Sequence, residues 1–249
     1  MGTGDNMTKM GERYTRQAMI AKWGRKGQEA LENTTVFIAG AGGLGSPVSY
    51  YLAAAGIGHI IICDMDTVNL SNLNRQILHH DARIGTNKAL SAKMTLSTIN
   101  PHIKVTEIQE KITENNIHDM SSEARIIVDC LDNHATRYIL MQEAVRRNIP
   151  LVHGSVWGLE GRVSFFHTPE TPCLKCVFPS APPKEVFPIV GATAGVVGSL
   201  QALEVIKYIT GIGELLKNNL LVWDGTNNSF KKFKLHRRAG CSICGKYTR

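Results

Sequence analysis

Three groups of residues in this sequence have the types and spacing to do chemistry. The first is Gly40-Ala41-Gly42-Gly43-Leu44-Gly45, which interrupts an apolar run from Val36 to Ala39. Gly40, Gly42, Gly43 and Gly45 let the backbone turn tightly and approach a phosphate with no Cβ in the way, and a helix starting there turns N–H groups toward the anion. A second apolar run, Ile60 to Cys63, ends on Asp64. An acid about 20 residues past such a loop is placed to accept from a ribose hydroxyl. Strand, glycine loop, helix, strand and acid together point to a bound nucleotide.

The second group decides what is done with that nucleotide. Residues 64–76 read DMDTVNLSNLNRQ, Lys88 follows in the next helical pattern, and Asp132-Asn133 closes an apolar run at 125–131. Asp64 and Asp132 are both expected at carboxyl ends of parallel strands, the rim where open α/β sheets bind ligands. Arg75 and Lys88 can neutralise phosphate oxygens there, and the Asp132 carboxylate can hold Mg²⁺. A dinucleotide held by its loop and ribose contacts has little need of such a set, whereas a triphosphate undergoing cleavage has great need of it.

The third group is cysteine. Cys173-Leu174-Lys175-Cys176 and Cys241-Ser242-Ile243-Cys244 supply four thiolates with the spacing of a structural zinc site. Four protein ligands leave no open position, so the zinc is expected to clip the C-terminal stretch to residue 170 or so rather than take part in catalysis. Cys63 and Cys130 lie in buried-strand patterns, where cysteine behaves as a small hydrophobe. His79, His80 and His153 show no triad-like grouping and read as surface or packing residues.

The elements that must position these groups follow from periodicity. An amphipathic helical pattern runs over 12–32, then strands are predicted at 35–39 and 59–64, with a helix over 45–55 between them. Residues 65–85 are polar and irregular, a length that usually signals function. A helix over 87–99, strands at 103–109 and 125–131, a helix over 134–148 and a strand at 150–153 complete a doubly wound, mainly parallel Rossmann-like α/β sheet. Beyond 154 the pattern changes to a hairpin about Gly158–Gly161, a Pro-rich loop at 169–190, a helix over 195–209 and strands at 219–224 and 229–236. These extend the sheet with antiparallel strands. One domain is expected over 1–249, with 1–10 flexible, 11–34 helical, 35–154 the nucleotide-binding core and 155–249 the extension with its four-cysteine zinc site.

Bulk properties narrow the class. The 249 residues are 43% hydrophobic and 20% charged, ordinary for a globular α/β protein. The net charge of +7 is scattered except for Lys231, Lys232, Lys234, Arg237 and Arg238, a cluster that a strand with alternating outward charges explains about as well as a polyanion site, and nucleic acid is not the expected partner. No apolar run reaches membrane-spanning length. The first residues lack a signal-peptide core, and Asn6 stands where a myristoylation motif requires Ser or Thr. A cytoplasmic protein is the expectation.

At these residues the chain resembles the ThiF/MoeB/HesA family, prokaryotic relatives of ubiquitin-activating enzymes. The resemblance rests on RYTRQ at 13–17, GAGGLGSP, the insert DMDTVNLSNLNRQ, Gly85-Thr86-Asn87-Lys88, DCLDN at 129–133, the paired C-x-x-C motifs and GSLQALEVIKYITG at 198–211. It implies ATP and Mg²⁺ binding and adenylation of a carboxylate, in most members the C-terminal glycine of a ubiquitin-like sulfur-carrier protein. It further implies that the glycine loop faces the phosphates, that Asp64 binds the ribose, and that Asn72, Arg75 and Lys88 contact phosphates. Asp66 and Gln76, in the same motif, join the implied nucleotide contacts. Asp132 would hold magnesium, and Arg16 would reach across a C₂ homodimer with an eight-stranded sheet into the partner's site.

One departure matters. Several family members carry a cysteine in the loop after the first C-x-x-C that takes over the acyl group or carries sulfur, and FPSAPPKEVFPIVGATAG at 178–195 has none. This speaks against a covalent thioester and leaves a small carboxylic acid as an alternative substrate. A nicotinamide-dependent oxidoreductase and a non-catalytic scaffold are rival readings. The insert and the zinc motifs oppose the first, and the presence of Arg75, Lys88 and Asp132 opposes the second.

Overall fold

The computed structural model describes residues 3–180 and 188–247, with the side chains of residues 3–10 and 247 left out. Helices α1 (Thr3–Ala18) and α2 (Gly24–Glu32) precede β1 (Thr35–Ala39), α3 (Gly45–Ala55), β2 (His59–Cys63), α4 (Lys88–Ile99) and β3 (Lys104–Ile108). Then come α5 (Ile117–Ser121), β4 (Ile126–Asp129), α6 (His134–Arg147), β5 (Leu151–Trp157) and β6 (Glu160–Phe166). The chain continues through α7 (Leu174–Val177), α8 (Gly191–Thr210), β7 (Asn219–Asp224) and β8 (Ser229–Lys234).

The strands form one eight-stranded sheet in the order β3-β2-β1-β4-β5-β6-β7-β8. The first five in that order pair in parallel and the remaining contacts are antiparallel. Alternation along β1 feeds both faces. Val36 and Ile38 join the core beneath α2, α3, α4 and α8, while Phe37 and Ala39 join the core beneath α5, α6 and α7. With both faces covered the central parallel strands must be largely apolar, which is why β1 and β2 read as hydrophobic runs, whereas β3 at the edge is mixed. At the far edge β8 exposes Lys231, Lys232 and Lys234. Lysines on an edge strand discourage pairing with another sheet, so the basic cluster has a structural reading.

The strand order reverses between β1 and β4, which opens a crevice at their carboxyl ends. The glycine loop leaves β1 on one side of it and residues 130–133 leave β4 on the other.

Several boundaries depart from expectation. The helical pattern over 12–32 is two helices, because Lys22 and Gly24 adopt left-handed backbone (φ 70° and 52°) and turn Trp23 into the core. Helix α8 begins at Gly191 rather than 195, and the short helices α5 and α7 add to the predicted set. The strand expected over 125–131 ends at Asp129 and the one over 229–236 ends at Lys234. Of residues 1–10, expected to be flexible ahead of a helical segment from 11, Met1 and Gly2 lie outside the described residues and α1 begins already at Thr3; 181–187 of the Pro-rich loop also lie outside them. Among the described residues no helix is long and apolar enough to cross a membrane.

Candidate active site

The glycine loop is shaped by two close approaches. Gly40 has φ +100° and a Cβ there would lie 2.8 Å from the Cys130 carbonyl oxygen. At Gly45 a Cβ would lie 1.9 Å from the Gly40 carbonyl oxygen. These two glycines are dictated by the chain's own packing. At Gly42 and Gly43 the nearest atoms to such a Cβ are Gln76 Nε2 at 3.5 Å and Ala194 Cβ at 3.4 Å. The protein itself would tolerate a side chain there, and leaving it out opens room at the start of α3 for a ligand.

Asp64 is tied to that loop before any ligand arrives. Its Oδ2 accepts from the Ala41 N–H at 2.8 Å and its Oδ1 accepts from the Asp66 N–H at 2.9 Å. Burial pushes its carboxyl pKa up, opposed by these two N–H donors and by the positive charge of Lys88. His79 supports the loop from behind. Its Nε2 lies 2.9 Å from the Ala41 carbonyl oxygen and its Nδ1 lies 2.8 Å from Ser91 Oγ. Nε2 therefore carries the proton and donates, and burial holds the ring's pKa below the ordinary value. His79 is thus a packing residue, as is fully buried His153, while His80 is exposed.

The insert after β2 folds into two short 3₁₀ turns, Leu70–Asn72 and Asp81–Arg83. Asn69 and Asn72 cap the first reciprocally, so the Asn72 Oδ1 accepts the Asn69 N–H at 3.1 Å. Arg75 Nη1 donates to Ser71 O and Asn74 Oδ1, both at 2.9 Å. Its aliphatic stem lies beside Gly43, 3.6 Å from where a Cβ would be. Gln76 is 5% exposed, and its buried Oε1 has no hydrogen-bond partner among the described residues. An orphaned buried acceptor is the kind of atom a ligand donor satisfies, and it is the Nε2 of the same amide that lies nearest Gly42. Lys88, at the start of α4, is 7% exposed and its Nζ lies 3.1 Å from Asp66 Oδ2. Asp132 is exposed on the loop after β4.

Gly40, Gly42, Gly43 and Gly45 thus lie on the glycine loop and the first residue of α3, Asp64, Asp66, Asn72, Arg75 and Gln76 on the insert that follows β2, Lys88 at the start of α4 and Asp132 on the loop after β4. Arg16 does not join them in its own chain. Its neighbours Tyr14 and Gln17 contact the C-terminal end of α3, where Gln17 Nε2 donates to Ala55 O at 2.7 Å and Tyr14 packs on Gly56. That end is about 16 Å along the helix from Gly45, at a rise of about 1.5 Å per residue.

The four thiols of Cys173, Cys176, Cys241 and Cys244 lie within 4.8 Å of one another. Three of the sulfur pairs are 3.4, 3.5 and 3.8 Å apart. A tetrahedral ion with sulfur ligands at about 2.3 Å requires edges of about 3.8 Å, and a disulfide about 2.05 Å. The cluster therefore suits one metal ion and holds no disulfide. Burial opposes ionisation of Cys241, yet N–H donors of Cys244 and Ile243 and the neighbouring thiols bring it down to about 7. Cys63 and Cys130 are buried as expected. Burial pushes the Cys63 thiol up to about 12, and it donates to Glu110 O at 3.3 Å.

Sequence reasoning missed a buried polar network beside the site: Asp129, Arg137, His153 and Gln201. His153 Nδ1 donates to Asp129 Oδ2 at 2.6 Å, and Arg137 Nε lies 3.4 Å from the same oxygen. Gln201 Nε2 donates to Asp129 O at 2.8 Å. Burial works against the Asp129 charge, but the Arg137 charge and the His153 hydrogen bond hold its carboxyl below the usual value. The one available signal is the pair of aspartates in DCLDN. Asp132 follows the apolar run and invites a functional reading, whereas Asp129 lies inside that run, where an acid needs buried partners.

A sequence profile of the ThiF family matches residues 14–243. The adenylyltransferase and sulfurtransferase MOCS3 of Culex quinquefasciatus is 41% identical over 239 residues, covering 93% of this chain and 55% of that protein. The chain spans about half the length of the MOCS3 proteins it matches. The sulfur carrier protein adenylyltransferase of Thermus thermophilus is 38% identical over 245 residues, covering 94% of this chain and 90% of that protein. Among solved structures, E. coli MccB with ATP superimposes with a TM-score of 0.83 at 27% identity, covering 94% of this chain and 73% of that chain.

Proposed function

The chain belongs to the ThiF family, and from that premise we propose that it is an adenylyltransferase that activates the C-terminal carboxylate of a ubiquitin-like sulfur-carrier protein with ATP. The observation that carries this reading is a glycine loop with space at Gly42 and Gly43, beside which Gln76 and Arg75 lie, tied through Asp64 and Asp66 to Lys88. Relatives with 38% and 41% identity are named as adenylyltransferases, and a structural relative is seen with ATP, which supports it further.

In this reading the N–H groups at the start of α3 face the phosphates, Asp64 and Asp66 flank the ribose, and Asn72 and Gln76 supply polar contacts. Arg75 and Lys88 neutralise the phosphate oxygens. Asp132 is an exposed hard oxygen donor on the same rim, which suits Mg²⁺. That ion, when bound, offsets charge on the phosphates.

The carrier carboxylate attacks the α-phosphorus through oxygen. The bond to the β-phosphate oxygen breaks and pyrophosphate leaves with its electron pair. A carboxylate with an unperturbed pKa of roughly 3.5 is already ionised at neutral pH, so no general base is required. Catalysis is then positioning and charge neutralisation.

Cys63 and Cys130 are buried and the other four cysteines are committed to the metal-suited cluster. The acyl-adenylate would therefore pass directly to an external nucleophile, with no acyl–enzyme. We assign zinc to the cluster, a C₂ homodimer to the assembly and the cytoplasm to the protein, where ATP and reduced thiols are at hand.

The test is ATP–pyrophosphate exchange, with sulfur-carrier proteins ending in glycine and small carboxylic acids as separate stimulants. Exchange that depends on a carrier protein is expected, with no dithiothreitol-sensitive adduct on the enzyme. Stimulation by small acids alone would replace the carrier in this reading, and no exchange with either would remove adenylation.

A further inference from the structure

The loop from Cys130 to Asn133 carries Asp132 between β4 and α6, and every residue around Asp132 is fastened. Cys130 N–H donates to Ala39 O at 2.9 Å, and the Cys130 carbonyl lies against Gly40. Leu131 is gripped from both sides. Its N–H donates to Asp129 Oδ1 at 3.1 Å, and its carbonyl accepts from Arg137 Nη2. The same Nη2 donates its second proton to Gly154 O at 3.2 Å, so the grip is anchored to β5. Asn133 Oδ1 caps α6 by accepting the Thr136 N–H at 3.0 Å. Asp132 itself stays exposed.

The groups that make this grip are deeply buried. Asp129 and His153 are 0% exposed and Arg137 is 6% exposed. A buried ion pair is a weak source of stability, because desolvation offsets much of the attraction. Its strength is fixed geometry. A planar fork in a close-packed site has few ways to move, and here its Nη2 spans the Leu131 carbonyl, in the peptide preceding Asp132, and the Gly154 carbonyl of β5.

We propose that Arg137, with Asp129, is a positioning residue that clamps the Leu131 peptide and so aims the Asp132 carboxylate at the metal of the bound nucleotide. The proposal rests on the assignment of Mg²⁺ to Asp132. Neither Arg137 nor Asp129 touches the nucleotide. Arg137 acts through the Leu131 carbonyl, and Asp129 acts through the Leu131 N–H and by holding the guanidinium in place. His153 completes the arrangement by occupying Asp129 Oδ2 from the other side, as a neutral ring held below its usual pKa by burial.

The experiment compares ATP affinity with Mg²⁺ and with EDTA, by calorimetry, in the wild type, Arg137→Met and Asp132→Asn. Asp132→Asn should lower the ratio of the two affinities directly. Arg137→Met should lower it by about tenfold, the usual effect of removing a group that orients a metal ligand, while leaving metal-free ATP affinity near normal. Amide exchange at residues 131–133 should speed up in Arg137→Met.

A lowered ratio in Asp132→Asn with an unchanged ratio in Arg137→Met overturns the positioning role. Unchanged exchange at 131–133 overturns the clamp. A ratio unchanged in Asp132→Asn overturns the magnesium assignment itself, and with it the aim given to the clamp. Arg137→Lys keeps the charge but lacks the fork, and carries the same readouts where Arg137→Met does not fold.

Discussion

Lys88 Nζ lies 3.1 Å from Asp66 Oδ2, yet the lysine side chain is 9% exposed and the aspartate side chain 57%. A nearly buried ammonium therefore faces the rim through an exposed carboxylate that can swing away. The cation is held in place by the fold, and in the proposed function a phosphate takes the carboxylate's place.

Lys88→Met should thus abolish carrier-dependent pyrophosphate exchange while the protein stays folded, a loss of about 3 kcal/mol or more in transition-state stabilisation. Asp66→Asn should lose less than Lys88→Met, because the amide can still bond the ribose and the Lys88 charge is met by phosphate when the nucleotide binds. Equal losses in both variants would show that the pair acts as one unit and not as a cation awaiting an anion.

One zinc ion per chain is expected on Cys173, Cys176, Cys241 and Cys244. Metal analysis should return one equivalent, and Cys244→Ser should release it. Chelation should lower the melting temperature more than it lowers exchange in the protein that remains folded, because a site closed by four thiolates has no open coordination position. An activity loss that precedes unfolding would give the metal a catalytic part.

Arg16 lies with the far end of α3, not with the glycine loop of its own chain. It is expected to act in the partner's site. Arg16→Ala and Lys88→Met, each inactive alone, should regain up to about a quarter of wild-type exchange when mixed and allowed to swap subunits, since random pairing makes half the dimers mixed and each of those holds one intact site. No recovery after confirmed subunit exchange would leave Arg16 without a trans role.

Four histidines, His59, His79, His134 and His153, have pKa values lowered from the ordinary 6.5, in each case mainly by burial. Such a ring is neutral in the folded state and takes up a proton on unfolding. The unfolded state therefore binds more protons below about pH 6.5, and stability falls as pH drops from there toward the native values. Urea unfolding at a series of pH values should show stability rising from about pH 5 to 7. His79→Gln should flatten that rise, and an unchanged slope would remove His79 from the titration.

The sequence by itself determined the order of the strands and of the helices between them apart from α5, α7 and the break between α1 and α2, together with the glycine loop, the acid at Asp64 and the grouping of the cysteines. These are local signals: β1 and β2 are bounded by their own composition, and each C-x-x-C places two thiols by spacing alone. Even the merging of Cys173 and Cys176 with Cys241 and Cys244 was legible, because two half-sites of four-coordinate chemistry call for each other.

The tertiary structure decided what depends on distant partners. Helix α8 starts at Gly191 although GATAG is poor helix sequence, because Gly191 packs on the backbone of Asn74 and Arg75, where a Cβ would come within 2.5 Å of Asn74 O. The break at Lys22 to Gly24 follows from the need to bury Trp23. Lys88 was legible as a candidate phosphate contact, but its near-complete burial exists only once the fold encloses it. The Asp129, Arg137, His153 and Gln201 network joins residues up to 72 apart in the chain. No periodicity records such a meeting, since its cause is the burial of charge between β4, β5, α6 and α8, and that exists only once the sheet has formed.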